Sequence, residues 1–391
     1  MRSIAIIILT FISVSGFSYH TNDSTKLLLA DLRVQIDATA AINAMYNFDF
    51  EESARLFREL RYRFPNHPLS FFLSGLNIWW RIMPDEENTK FDDRFLFYMD
   101  TTIAIATPML EKEETRIEAA FFLAAAYGFK GRLYSDRGSW TKAASAGKSA
   151  LDNIEISKEE SYLSPELLFG EALYNYYSVW IPENYLFLKP IMMFFPEGEK
   201  ELGLSQLKEV SRFAFYTRIE AQIFLMRILS SDYQQYTEAL QIAEYLHSTY
   251  PNNPFFHRYY VRYLYSLHRY DKMEPEAKLL IDRIDSDMLG YESTSGRYAG
   301  FFLGQMYEGR KKMELAKYYY KRAIDFGEEN EAFETGYYLY SLLGLGRIAD
   351  IEGDKANSKI YLRQIKHYAK RNHPAHKAAR EYMNNMRKKK Q

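Results

Sequence analysis

The chain has 391 residues and a net charge of −1, with 50 Lys and Arg against 51 Asp and Glu. It therefore lacks the basic excess that neutralising phosphates requires, and no nucleic-acid partner is expected. Hydrophobic residues at 47% suffice for a continuous core, the absence of cysteine excludes disulfides, and 33 Tyr with 27 Phe against 4 Trp suit a long seam with much half-exposed surface.

The first stretch has the form of a secretory signal. Arg2 is a positive start, Ile4 to Val14 an apolar run, and Ser15, Gly16 and Ser18 small residues for cleavage. Ile4 to Phe17 is too short to cross ~30 Å of hydrocarbon. We expect a signal peptide over 1–18 and export to a bacterial periplasm or outer surface. The protein is not expected to be a lipoprotein, because no cysteine is available to carry a lipid. No later run reaches ~18 apolar residues, so no integral span is expected.

From there the chain repeats itself. Phe50, Ser53, Phe57, Leu60, Pro65 and Pro68 share their spacing with Tyr236, Ala239, Ala243, Leu246, Pro251 and Pro254. The pattern returns 34 residues later at Tyr270, Met273, Ala277 and Leu280. This is one face of a helix followed by its stop, and Pro68 and Pro254 fall where a first-turn proline is tolerated. The fullest copy is Leu303, Gly304, Tyr307, Ala316, Tyr320 and Ala323, followed by Leu345, Gly346, Ala349, Gly353, Ser358, Leu362 and Ile365.

These residues resemble the tetratricopeptide repeat (TPR), a 34-residue helix–turn–helix unit. The resemblance implies an all-α fold, a right-handed superhelical solenoid of antiparallel helix pairs. Gly304 and Ala316 would mark the close approach within one pair, while Tyr307 and Tyr320 fill the space between pairs. Stretched copies lie at Leu123, Ala124 and Tyr127 with Trp140, Ala143, Gly147 and Ala150, and at Phe169, Gly170 and Leu173 with Gly203, Leu207 and Val210. A first helix at Phe71, Gly75 and Ile78 has a partner that departs from the signature. We expect about eight pairs over residues 34–371, a capping helix from Pro374, and one domain over 24–391.

The insertion from Tyr185 to Pro196 is apolar, with Leu186, Phe187, Met192, Met193, Phe194 and Phe195. We expect it to fold back and plug the solenoid's groove, since exposing so many apolar side chains is unfavourable. A docking segment or a dip into a membrane interface is the other reading.

No catalytic constellation emerges. Gly147, Lys148 and Ser149 resemble the end of a P-loop but sit in helical register, and Gly344 to Ala349 lacks the strand that a dinucleotide fingerprint follows. His373 and His376, with His367 nearby, lack an accompanying carboxylate motif, and a surface or capping role is expected. Glu51–Glu52, Glu113–Glu114 and Glu328–Glu329 are explained by helix ends and turns. No catalytic, cofactor or metal site is expected.

In the repeat family the first helix of each pair lines the concave surface. Carried onto this sequence, the inward positions are Arg258, Arg262 and Tyr265, then Tyr298, Phe301, Gln305 and Glu308, then Tyr340, Arg347 and Asp350. In the N-terminal half they are Phe72, Leu76, Trp79 and Phe121, a greasier surface. The Lys/Asn/Arg clamp of the chaperone-binding members is missing, so their ligand is not transferred. The expectation is a non-catalytic scaffold in the cell envelope that binds a protein or peptide along an Arg–Tyr groove. The other reading is a small-molecule or lipid carrier of the transporter-associated type, with residues 185–196 as lid.

Overall fold

The computed structural model describes residues 27–158 and 160–388, so the expected signal segment lies outside the described residues. Among the described residues there are eighteen α-helices and no strand. They pack in chain order as helix pairs: α1 (Leu32–Tyr46) with α2 (Phe50–Arg63), α3 (Pro68–Ile82) with α4 (Asp92–Ala106), and α5 (Glu113–Asp136) with α6 (Trp140–Lys158). Next, α7 (Pro165–Asn184) packs on α9 (Lys200–Phe213), with the short α8 (Lys189–Met192) in the connection. The series continues as α10 (Arg218–Ser231) with α11 (Tyr236–Thr249) and α12 (Pro254–Ser266) with α13 (Tyr270–Asp285). It ends with α14 (Ser293–Gly309) on α15 (Met313–Glu329), α16 (Gly336–Ile351) on α17 (Lys355–Tyr368), and α18 (Pro374–Lys388) packed against the last pair. This is an all-α, TPR-like solenoid. None of these helices is long and apolar enough to cross a membrane.

Local chemistry sets the helix ends. Pro68 and Pro254 occupy first turns, and the preceding residues cap them. His67 Nδ1 accepts from the Leu69 amide at 3.2 Å, and Asn253 Oδ1 accepts from those of Phe255 and Phe256 at 3.0 and 3.2 Å. The turn inside a pair recurs as a Schellman motif: the amides of Asp49, Ser139, Arg269, Lys312 and Asp354 each bond the carbonyl five residues back. The residue before each is left-handed (Phe48, Gly138, His268, Lys311 and Gly353), yet only two of these are glycine.

The first helices of successive pairs touch one another along α1, α3, α5 and α7, and again along α12, α14 and α16. Second helices pack on the first helices to either side. First helices therefore form the inner row. Within a pair the closest approach is at small residues. A Cβ on Gly203 would lie 2.6 Å from the Tyr176 nitrogen and 2.7 Å from the Ala172 carbonyl oxygen, so only glycine lets α9 sit on α7.

Tyr320 joins two pairs. Its ring lies against Gly304 of α14 on one side and Gly344 of α16 on the other, where an added Cβ would come within 2.5 Å of ring carbons. The close neighbour of Gly304 is thus this ring, while the backbone approach of α14 to α15 is at Gly300, whose Cβ would meet Ala323 N at 2.9 Å.

The first two pairs also rest on the fifth and sixth. Tyr46 of α1 and Trp80 of α3 stack edge to face at 5.1 Å, and Trp80 meets Phe256 of α12 at 5.2 Å. Trp80 Nε1 donates to Glu220 Oε1 of α10 at 3.0 Å, and the Tyr46 hydroxyl reaches the same oxygen at 3.4 Å. Asn253 Nδ2 donates to the Tyr46 carbonyl at 2.8 Å, and the Asn252 amide to Asn47 Oδ1 at 3.1 Å. Burial raises the Glu220 carboxyl above its usual range, with Arg132, Trp80 and Tyr46 pulling the other way. Each buried ring contributes at most roughly 4–6 kcal/mol of transfer free energy. Tyr46, Trp80 and Phe256 together thus outweigh the several kcal/mol that one buried carboxylate costs.

Candidate binding face

The N-terminal residues expected on a greasy groove are core. Phe72, Leu76, Trp79 and Phe121 are all buried. The cause is the length of α5: its 24 residues bring Phe122 and Phe129 over Phe72 at 6.0 and 5.9 Å, and Phe129 over Trp79 at 5.4 Å.

Toward the C-terminus the inner row carries a stripe of half-buried polar aromatics. Tyr259 of α12 lies 4.7 Å from Phe255 and 5.9 Å from Tyr263. Tyr265 stacks on Phe302 at 4.2 Å, and Tyr298 meets Tyr337 of α16 edge-on at 4.5 Å. Tyr340 closes the stripe, 6.0 Å from the His373 ring at the start of α18. Phe301 is no wall residue. It is 7% exposed and stacked on Tyr337 at 4.8 Å, a seam between α14 and α16.

The arginines on this row differ from one another. Arg258 is 7% exposed, and its Nη1 donates to the Pro84 carbonyl at 2.9 Å, Glu292 Oε1 at 3.1 Å and Ser295 Oγ at 3.3 Å. It is a strut that ties the loop after α3 to α14, and it does not face a groove. Its partner Glu292 is pushed upward by burial, which Arg258 and the Ser295 and Thr294 contacts oppose. Arg347 gives both Nε and Nη2 to Glu308, at 3.0 and 2.8 Å. Glu308 also accepts from the Tyr320 hydroxyl at 2.5 Å, which in turn accepts from Gln305 Nε2 at 2.8 Å. Asp350 accepts from Tyr382 of α18 at 3.2 Å. These positions form a satisfied internal network.

Arg262 is the exception, and the structure adds Arg227 of α10, which shares Tyr259 and Tyr263 with it as neighbours. Both are half-buried, and among the described residues neither side chain makes a hydrogen bond or ion pair; only their main-chain carbonyls are engaged, by Ser266 and Ser230. The Arg262 guanidinium lies 5.8 Å from the Tyr259 ring centre. Burial draws Arg262 down, but Tyr337, Tyr259, Tyr298 and Tyr263 outweigh it and hold it above its ordinary range. Tyr259, chiefly, with Glu86, Tyr177 and Tyr263, does the same for Arg227 against burial. The phenols are uncharged at neutral pH. Two full positive charges therefore face hydroxyls and ring faces with no carboxylate in contact. Arg132 of α5 is better matched: it lies over Trp79 at 4.7 Å and Phe224 at 5.4 Å, with Glu86 3.7 Å away.

Arg227 escapes the repeat register for a local reason. In the turn after α10 the Gln235 amide bonds the Leu229 carbonyl, six residues back where the other turns count five. One added residue shifts every α10 position against the 34-residue spacing. The aromatic positions Tyr177, Tyr259, Tyr263 and Tyr337 were hidden among 33 tyrosines of equal appearance.

The insertion does not plug the groove. Leu186, Phe187, Met193 and Phe194 are 60–84% exposed. Phe187 touches Trp140 of α6 at 5.4 Å, and Phe195 lies over Gly147. Tyr185 meets Trp180 of α7 at 5.8 Å and the Tyr174 hydroxyl of α7 donates to the Pro196 carbonyl, so the segment lies across α6 and α7. Met192 and Phe195 are the half-buried members that seat it. A plug would bury the segment's apolar side chains in the groove, whereas four of them stand in solvent. At the C-terminus, His373 Nδ1 accepts from the Ala375 amide at 3.1 Å as a cap on α18.

No family model matches the chain, and no curated protein matches it. Among solved structures, a human IFIT1 dimer with PPP-AAAA aligns with a TM-score of 0.43 and 12% identity, covering 82% of this chain and 68% of that one.

Proposed function

We propose that this chain is a non-catalytic scaffold, exported to the cell envelope, that binds an acidic segment of a protein partner on the inner face of α10, α12, α14 and α16. The observation that carries this reading is the pair Arg227 and Arg262, two guanidiniums in a wall of tyrosines that make no ion pair among the described residues, with Glu86 near Arg227 but out of contact. A guanidinium offers a planar fork of donors matched to carboxylates, and the tyrosines add apolar faces with hydroxyl tips. Arg258 and Arg347 are already engaged, so they shape the face without recognising a ligand. The carrier reading draws less support, because the 185–196 segment packs across α6 and α7 with Leu186, Phe187, Met193 and Phe194 exposed.

Crosslinking with mass spectrometry in the native envelope tests the proposal, comparing the natural chain with Arg227→Glu/Arg262→Glu. Loss of specific protein partners in the double variant is the expected result. An unchanged partner set would place the binding face elsewhere, and capture of nucleic acid in place of protein would overturn the partner class.

A further inference from the structure

We propose that His247, His257 and Glu276 form a binding site for a divalent metal of the zinc type, clamping the fifth helix pair to the sixth. The three residues come from three successive helices, α11, α12 and α13. Their ligand atoms all lie within 4.8 Å of one another. Glu276 Oε2 is 3.1 Å from His257 Nε2 and 3.4 Å from His247 Nε2. Two donors at ordinary zinc–nitrogen and zinc–oxygen lengths on one tetrahedral ion stand about 3.3 Å apart, so both separations are those of neighbouring ligands.

Hydrogen bonding alone leaves this cluster incomplete. Glu276 Oε2 is buried and makes no well-formed hydrogen bond, although two imidazole nitrogens lie so near. His247 Nδ1 is also buried and unpartnered. The second ring nitrogen of His257 is held as a metal ligand's should be: Nδ1 meets the Tyr291 hydroxyl at 3.1 Å, and that hydroxyl is fixed in turn by Arg283. His257 Nε2 also donates to the Glu276 main-chain carbonyl at 3.1 Å, a bond that ligation would exchange for the ion. The two imidazoles lie 4.5 Å apart at 17°, with the Tyr260 ring 5.3 Å from His247, and a modest tilt of the rings would bring both nitrogens onto one ion. Two imidazoles and one carboxylate suit zinc and leave a fourth position for water.

The site's place gives it a consequence. Ligation would fix α11 against α12 and α13, and hence the spacing between Arg227 on α10 and Arg262 on α12. Metal would set the width of the inner face at the proposed recognition residues.

The test uses the full chain with any affinity tag removed, dialysed against metal-free buffer and titrated with Zn(II), or with Co(II) for spectroscopy. Expected results are about one bound equivalent, a raised melting temperature and a four-coordinate Co(II) absorption band. His247→Asn and Glu276→Gln should each lower affinity at least tenfold, while His373→Ala/His376→Ala leaves it unchanged. Zinc-edge absorption fine structure of the natural chain, which needs no variant, should show two imidazoles and an oxygen ligand. A folded natural chain that takes up neither ion would overturn the proposal, as would uptake undiminished in the His247→Asn/Glu276→Gln variant or a spectrum without imidazole.

Discussion

Asn253, at the start of the sixth pair, donates its side-chain amide to the main-chain carbonyl of Tyr46 in the first pair at 2.8 Å, while its carbonyl oxygen caps α12. One side chain thus ends a helix and joins two segments of chain that are 207 residues apart. Asn253→Ala should cost about 2–4 kcal/mol, from a lost cap and an orphaned buried carbonyl. Asn253→Asp retains the cap yet sets a carboxylate against that carbonyl, so chemical denaturation should find it no better than alanine. If aspartate were as stable as the natural residue, the bond to Tyr46 would contribute nothing.

Arg258 and Arg262 stand one helical turn apart and should behave oppositely. Arg258→Ala leaves Glu292 buried without its cation and should cost about 3–5 kcal/mol. Arg262→Ala breaks no hydrogen bond or ion pair and gives up only the contact with the Tyr259 ring, so it should cost no more than about 1 kcal/mol. Denaturation midpoints and partner capture, measured on the same two proteins, separate the strut from the recognition residue.

Tyr320 fills a slot between two glycines. Gly304→Ala and Gly344→Ala should each cost about 1–3 kcal/mol by overpacking. In a Tyr320→Leu background the same changes should cost less, since the ring that clashes has gone. Full additivity in a double-mutant cycle would show that the added methyls strain something else.

Glu220 has its folded-state pKa raised, chiefly by burial. A carboxyl shifted upward destabilises the folded state while ionised, and that penalty disappears as pH falls through the folded value. Glu220→Gln should therefore gain most over the natural chain at neutral pH, and the gain should shrink toward acid. A difference independent of pH would mean that Glu220 titrates alike in the folded and unfolded chain.

The exposed tip of the insertion should tolerate polarity. Met193→Ser/Phe194→Ser removes apolar side chains that are 84% and 83% exposed, so melting should hold within about 0.5 kcal/mol. Loss of concentration-dependent light scattering in that variant would assign the tip to contact with other molecules.

Sequence and structure agree where the information is periodic and local. The second helices that start at Phe50, Tyr236, Tyr270 and Met313 begin where the spacing places them, because each buried stripe and each first-turn proline is written within one turn of the helix it defines. What escaped is what the period does not carry. Phe48 and His268 adopt the left-handed turn that only Gly138 and Gly353 announce. Arg258 has the same residue type and face as Arg262, and only the arrival of Pro84 and Glu292 makes it a strut. His247, His257 and Glu276 meet across three helices at separations that match no contiguous motif, while His373, of the visible pair with His376, caps α18.

The contact of Tyr46 and Trp80 with Glu220, Asn253 and Phe256 bears on how the molecule comes apart. Repeat arrays in which each unit touches only its neighbours can fray from an end and tolerate deletion of a unit. Here the first unit is a keystone for the sixth, so the array has lost that modularity. Trimming α1 should melt the middle of the chain along with its end. Refolding should be slow for an all-helical protein, because its decisive contacts wait for some two hundred residues to be brought round before they can form.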